Sequence, residues 1–161
     1  MKTAAGWDWS LPAGSTPAPH TGFSTWSSKR FSPLVTIRGV FMAWKRLAPK
    51  EGVVDFSPIL DEIASNKAMG LETGLHLMNA ERQYVPDWIV EKYHPPVIDA
   101  IPLQANQPWR MSFVPPWHPA VMAEWEKLLA ALARSGIPQR ADIIYAYLNG
   151  LGASRGEELF L

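Results

Sequence analysis

Cysteine is missing from the chain altogether. Disulfides, thiolate metal sites and cysteine nucleophiles are thereby excluded. No apolar run reaches the roughly 18 residues that a membrane-spanning helix needs. Neither sign of charge prevails, since fifteen Lys and Arg face fifteen Asp and Glu for a formal net charge of zero. Such a balance leaves no electrostatic footprint for nucleic acid or for an anionic membrane. The opening Met1-Lys2-Thr3-Ala4-Ala5-Gly6-Trp7-Asp8 lacks the apolar segment of a signal peptide, so cytoplasm is the default expectation. Histidine is scarce, and His20, His76, His94 and His118 show neither H-x-x-x-H nor H-E-x-x-H spacing. No metal and no cofactor are expected.

What is present is an apolar fraction of 47% against 19% charged residues in 161 positions. That suits one globular domain with a real core. Eight Trp and fifteen Pro are the unusual counts. Aromatic faces can cover the apolar face of a pyranose, so the pair suits a loop-rich sugar cleft. It suits an ordinary core with long loops equally well.

Residues 1–33, rich in Ser, Thr, Pro and Gly, read as an irregular arm, and residues 34–161 as the folded domain. The β-branched and aromatic run 34–42 predicts a first strand. Ser57-Pro58 supplies an N-cap followed by proline at the first helical position. Ile59, Leu60 and Ile63 then share a helical face, and Met69-Gly70 ends the helix. A second strand spans about 71–78. The Pro-rich stretch 79–109 is long for a passive connection and reads as an active-site loop or substrate wall. A short strand over 111–114 precedes a helix from Pro119 to Arg134, with Val121, Met122, Trp125, Leu128, Leu129 and Leu132 on one stripe. The run Ile143-Ile144-Tyr145-Ala146-Tyr147-Leu148 is the last strand. Alternation of this kind predicts an α/β fold with a parallel sheet.

The segment Trp44-Lys45-Arg46-Leu47-Ala48-Pro49-Lys50-Glu51-Gly52-Val53-Val54-Asp55-Phe56 resembles the W-x-x-L-E-P-x-E-G-x-x-D-F stretch of β-galactosidase-like glycoside hydrolases of the retaining (β/α)8-barrel clan. Ala48 stands where Glu is usual. Pro86-Asp87-Trp88 resembles the P-x-W element after the family's second strand, and Trp117-His118-Pro119 with the following helix resembles its third βα unit. The resemblance covers roughly residues 35–158. It implies a TIM-barrel-like fold of which the first four or so β/α units are here, since a closed barrel takes about 250 residues. An unclosed set of units has unpaired sheet edges and is expected to self-associate through them.

Retaining glycosidases work with two carboxyl groups about 5 Å apart, an acid/base and a nucleophile. The resemblance implies an acid/base after strand four and a nucleophile ending strand seven. Tyr147-Leu148-Asn149-Gly150 keeps the Asn of the usual Asn-Glu but has Gly in place of Glu. The Gly-rich turn ending in Gly156-Glu157 resembles a G-x-x-G-E ending, which makes Glu157 the acid/base candidate with Glu158 beside it. Both are equally readable as solvated carboxylates opening a helix.

Trp44, Trp88 and Trp117 are candidates for stacking on a saccharide, with plain packing as the alternative. Asn79 and Asn149, at strand ends, could bind sugar hydroxyls or cap loops. On the second strand Leu71, Thr73, Leu75 and Leu77 share one face, so His76 occupies the other, in the lumen of a barrel, as a ligand contact or a buried structural histidine. Arg38 either reaches that lumen or pairs with Glu72. The substrate implied is a β-linked carbohydrate, hydrolysed by a retaining mechanism. Two rival readings stay open. Ala48 and Gly150, both departures from Glu, suit a non-catalytic carbohydrate-binding barrel. Gly152-Ala153-Ser154-Arg155-Gly156 matches the G-x-S-x-G nucleophile elbow, although no histidine follows it to complete the Ser–acid–His order.

Overall fold

The computed structural model describes residues 23–25, 34–100 and 111–148. Its centre is a four-stranded sheet in the order β1-β2-β3-β6, formed by Phe23–Thr25, Val35–Ala43, Glu72–Met78 and Ile143–Leu148. All three pairings are parallel. Parallel neighbours require crossover connections. The crossover from β2 to β3 carries the single turn α1 (Trp44–Leu47) and the helix α2 (Ser57–Ala68). The one from β3 to β6 carries α3 (Asp87–Tyr93), a small hairpin of β4 (Ile98–Ala100) with β5 (Met111–Phe113), and α4 (Pro119–Arg134).

One hydrophobic cluster joins the sheet to every helix. Val40 and Met42 of β2 and Leu75 and Leu77 of β3 pack with Leu47, Ile59, Ile63, Ile89, Val121, Leu128 and Leu132. Burying each such aliphatic side chain contributes about 1.5–3 kcal/mol. Because side chains alternate along a strand, the leucines of β3 pack toward the helices and His76 takes the opposite face, as the sequence pattern predicts. The polar seam of this layer is Asn66, fully buried. Its Oδ1 accepts from Arg38 Nη1 at 2.8 Å and its Nδ2 donates to Thr73 Oγ1 at 3.0 Å. Arg38 Nη1 also donates to Glu62 Oε2 at 2.9 Å. Arg38 therefore points into the helix layer, which corrects both alternatives drawn from the sequence.

Four other expectations change. The short strand near 111–114 is not a member of the main sheet: Met111–Phe113 pairs antiparallel with Ile98–Ala100. Pro115-Pro116 come one residue later, and proline cannot donate to a ladder, so the strand stops short of them. Its place in the count of four is taken by Phe23–Thr25, which lies within the segment read as an irregular arm and pairs with β2. The stretch after β3, expected as an unbroken loop, carries in its described part the helix α3, whose Ile89 joins the core with Val85 and which contacts α4. Helix α2 begins one residue earlier than the N-cap reading. Asp55 Oδ1 accepts the Ser57 amide at 2.8 Å, so the carboxylate two residues upstream does the capping and Pro58 is in the first turn.

Candidate functional site

Parallel βα architectures gather ligands at the carboxyl ends of their strands. On the face of the sheet away from the helices, three adjacent strands each supply one ring at the same level. The register sets Phe41 of β2 beside His76 of β3, and His76 beside Tyr147 of β6. Ring centroids are 5.2 Å apart for Phe41–His76 and 5.4 Å for His76–Tyr147, both tilted. Phe41 is 47% exposed, while His76 is only 3% exposed. One level toward the amino ends lies a row of Gly39, Gly74 and Tyr145. The Tyr145 ring meets His76 edge-on at 5.4 Å, and its hydroxyl is 3.2 Å from His76 Nε2.

Tyr145 reaches this face because the pairing slips. Thr73 faces Ile143, but Gly74 faces Tyr145, so Ile144 is an extra residue. Ile143 packs against the helix-side core, and the irregularity turns Tyr145 and Tyr147 to the other side. Local bulges re-aim side chains in this way.

The polar groups near this end of the sheet are Asn79 and Glu81. Asn79 directly follows β3, is 3% exposed, and its Oδ1 has no hydrogen-bond partner. Glu81 is half-buried, and burial raises its carboxyl above its ordinary value against the opposing hydrogen bond from Gln83. Burial, helped by the Glu81 charge, also raises the Tyr84 phenol.

The remaining candidates scatter. Trp44 is 1% exposed and packs edge-on against Trp125 at 5.1 Å in the helix-side core. Trp88 Nε1 donates to the Ala48 carbonyl at 2.9 Å. Both line a hollow of about 110 Å³ between the loop after β2 and α4, with Ala48, Val53, Glu124 and Lys127. These two indoles pack in the helix layer and do not join the ring row. Trp117 is 58% exposed in the turn before α4. Because α4 runs back to the start of β6, its first turn lies at the carboxyl end of the strands. Glu157, Glu158, Asn149 and the Gly152–Gly156 turn lie outside the described residues.

Several residues of the loop behind the family resemblance have structural roles. Trp44 and Leu47 are core residues. Gly52 takes a left-handed φ of 72° in the tight turn that bridges Lys50 to Val53, a conformation glycine adopts without penalty. Glu51 pairs with Lys92 of α3. The Ser57 amide and hydroxyl hold the Asp55 carboxyl below its ordinary value.

Sequence reasoning missed Phe41, Tyr145, Tyr147 and Glu81. Period-two alternation outward from His76 reaches Phe41 once β2 and β3 are aligned in parallel. The extra residue at Ile144 hides the tyrosines, since plain alternation sets them on the side of Ile143. Among the described residues no three His, Cys, Asp or Glu side chains come close enough to hold a metal ion, and no helix is long and apolar enough to cross a membrane. No protein-family model and no curated protein matches the chain.

Proposed function

We propose that this chain forms part of a glycoside-hydrolase-like (β/α) barrel that binds a β-linked saccharide on the ring-bearing face of its sheet. The observation that carries the reading is the row Phe41–His76–Tyr147, one ring from each of three neighbouring parallel strands. A pyranose offers one face of C–H groups to an aromatic ring and a rim of hydroxyls to polar groups. Phe41 supplies accessible aromatic surface. Tyr147 adds a phenol, and Trp117 and Asn79 follow at the same end of the sheet. The resemblance of residues 44–56 to β-galactosidase-like enzymes points to the same substrate class.

In the catalytic form of this reading Glu157 is the acid/base, with Glu158 its neighbour. It protonates the departing glycosidic oxygen while a second carboxylate attacks the anomeric carbon. It then takes a proton from the water that releases the sugar. The resemblance assigns that second carboxylate to a seventh strand. A second reading, binding without turnover, draws support from Ala48: where the resemblance expects Glu, a buried alanine lines the helix-side hollow and gives its carbonyl to Trp88.

Calorimetric titration of the chain with lactose and cellobiose, alongside an aryl β-glycoside assay, tests the proposal. Saccharide binding by the wild type that is lost in Phe41→Ala and Tyr147→Ala variants is the expected result. A wild type that binds neither sugar overturns it. The chain alone, without the seventh strand, should show no turnover; in a longer form that supplies that strand, turnover abolished by Glu157→Gln selects the catalytic form, and turnover that survives this change removes Glu157 from the role.

A further inference from the structure

His76 is almost fully enclosed, yet it is the middle member of the ring row, so whatever orients its imidazole sets the shape of the surface on either side. Three independent features converge on that task. The extra residue at Ile144 turns Tyr145 onto the ring-bearing face. Gly74 leaves room for it: a Cβ at this position would lie 2.2 Å from Tyr145 Cζ and 2.3 Å from its hydroxyl oxygen. The hydroxyl end of the Tyr145 ring thus occupies the space over the glycine. From there its hydroxyl meets His76 Nε2 at 3.2 Å.

We propose that Tyr145, seated on Gly74, is the positioning residue of the saccharide surface: it fixes the ring orientation and tautomer of His76, and through His76 the placement of Phe41 and Tyr147. The inference rests on the saccharide reading above and deepens it by naming the support behind the binding row. An imidazole has two distinct nitrogens, and a hydrogen bond at one determines which of them carries the proton. A hydroxyl can donate to a bare nitrogen or accept from an N–H, so the contact at Nε2 fixes the ring flip, and which tautomer it holds is read from the spectra below. Binding surfaces depend on such supports, because a ring free to turn presents a different contour each time.

The test uses the full 161-residue chain as wild type and as Tyr145→Phe, which keeps the ring on Gly74 and deletes only the hydroxyl. Histidine ring nitrogen-15 spectra across pH, thermal unfolding, and calorimetry with cellobiose and lactose are recorded for both. In the wild type the His76 spectrum should show one tautomer with Nε2 hydrogen-bonded. In Tyr145→Phe the Nε2 resonance should move. Saccharide affinity should fall at least fivefold, while the unfolding temperature stays within a few degrees. A Tyr147→Phe variant should leave the His76 tautomer as it was. A wild-type spectrum with two tautomers in comparable amounts overturns the proposal whatever the variants do. So does a Tyr145→Phe chain with unchanged His76 resonances, or one with shifted resonances and full affinity. If the wild type binds neither sugar, the saccharide reading falls with the surface it was to serve. If the wild type binds and Tyr145→Phe binds equally well, that reading stands and only the positioning role is lost.

Discussion

Trp88 donates its indole N–H to the carbonyl of Ala48, 2.9 Å away, and so fastens α3 to the loop that leaves β2. The contact spans 40 residues of sequence and closes the helix layer over Trp44. It belongs to stability, and the ring-bearing face of the sheet lies on the other side.

Trp88→Phe should therefore lower unfolding stability by about 1–2 kcal/mol, the usual worth of one buried hydrogen bond with its stranded acceptor. Saccharide affinity should not change. Urea unfolding followed by Trp fluorescence, with calorimetry on the same sample, reads both. A loss of affinity without a loss of stability would place Trp88 in the binding surface after all.

Asn66 joins β2, β3 and α2 through Arg38 and Thr73. Replacing it by Ala strands a part-buried guanidinium and a buried hydroxyl together. We expect Asn66→Ala to cost about 3 kcal/mol, near the upper end for a buried polar deletion. A shift under about 1 kcal/mol in chemical denaturation would mean that water replaces the amide at little cost.

Gly74→Ala should drive the Tyr145 ring from its seat, since no rotamer of alanine moves its Cβ. Overpacking of this kind costs about 1–3 kcal/mol. The telling measurement is the double change. With Tyr145→Ala in the background, Gly74→Ala should become nearly neutral, giving a coupling of at least about 1 kcal/mol in a mutant cycle. Additive losses would show that the two residues do not meet.

Glu81 supplies the pH prediction. Its folded-state carboxyl is raised, chiefly by burial, so folding favours the protonated form. Whatever stability this adds is fully present below the ordinary value of 4.5 and is lost as pH climbs through the raised one. Glu81→Gln, which cannot ionise, should match the wild type at pH 4 or below and be the more stable of the two at pH 7. Thermal unfolding of both chains from pH 3.5 to 8 checks the crossing. Curves that stay parallel over that range would show that Glu81 is solvated as well in the fold as outside it.

The parts of the fold legible in the sequence were those where one local rule acted alone. The alternation of Leu75 and Leu77 with His76 placed β3 and its two faces, because a buried strand packed against helices leaves little freedom of register. Helix α4 was readable from Pro119 to its basic last turn. Elements that depend on a partner were not readable. Phe23–Thr25 has no pattern over three residues and is a strand only because β2 offers an edge. Met111–Phe113 has strand composition, but Pro115-Pro116 and the pairing with Ile98–Ala100 divert it from the main sheet. Helix α3 hid in a Pro-rich stretch, although Pro86 followed by Ile89, Val90 and Tyr93 shows a proline start and an apolar stripe. The site fared similarly. His76 was found from its strand, whereas Tyr145 and Tyr147 depend on one extra residue in β6 that only its pairing with β3 reveals.

The order of the sheet also bears on how the chain comes to be folded. β3 has β2 available as a neighbour once both are made, but its other neighbour, β6, is made only after roughly sixty more residues. A ribosome delivering the chain amino end first leaves the Gly74–His76 side of β3 open through all of that synthesis. Long-range parallel pairing of this kind is slow and exposes sticky edges. A chaperone that shields an unfinished edge should therefore raise the yield of soluble chain.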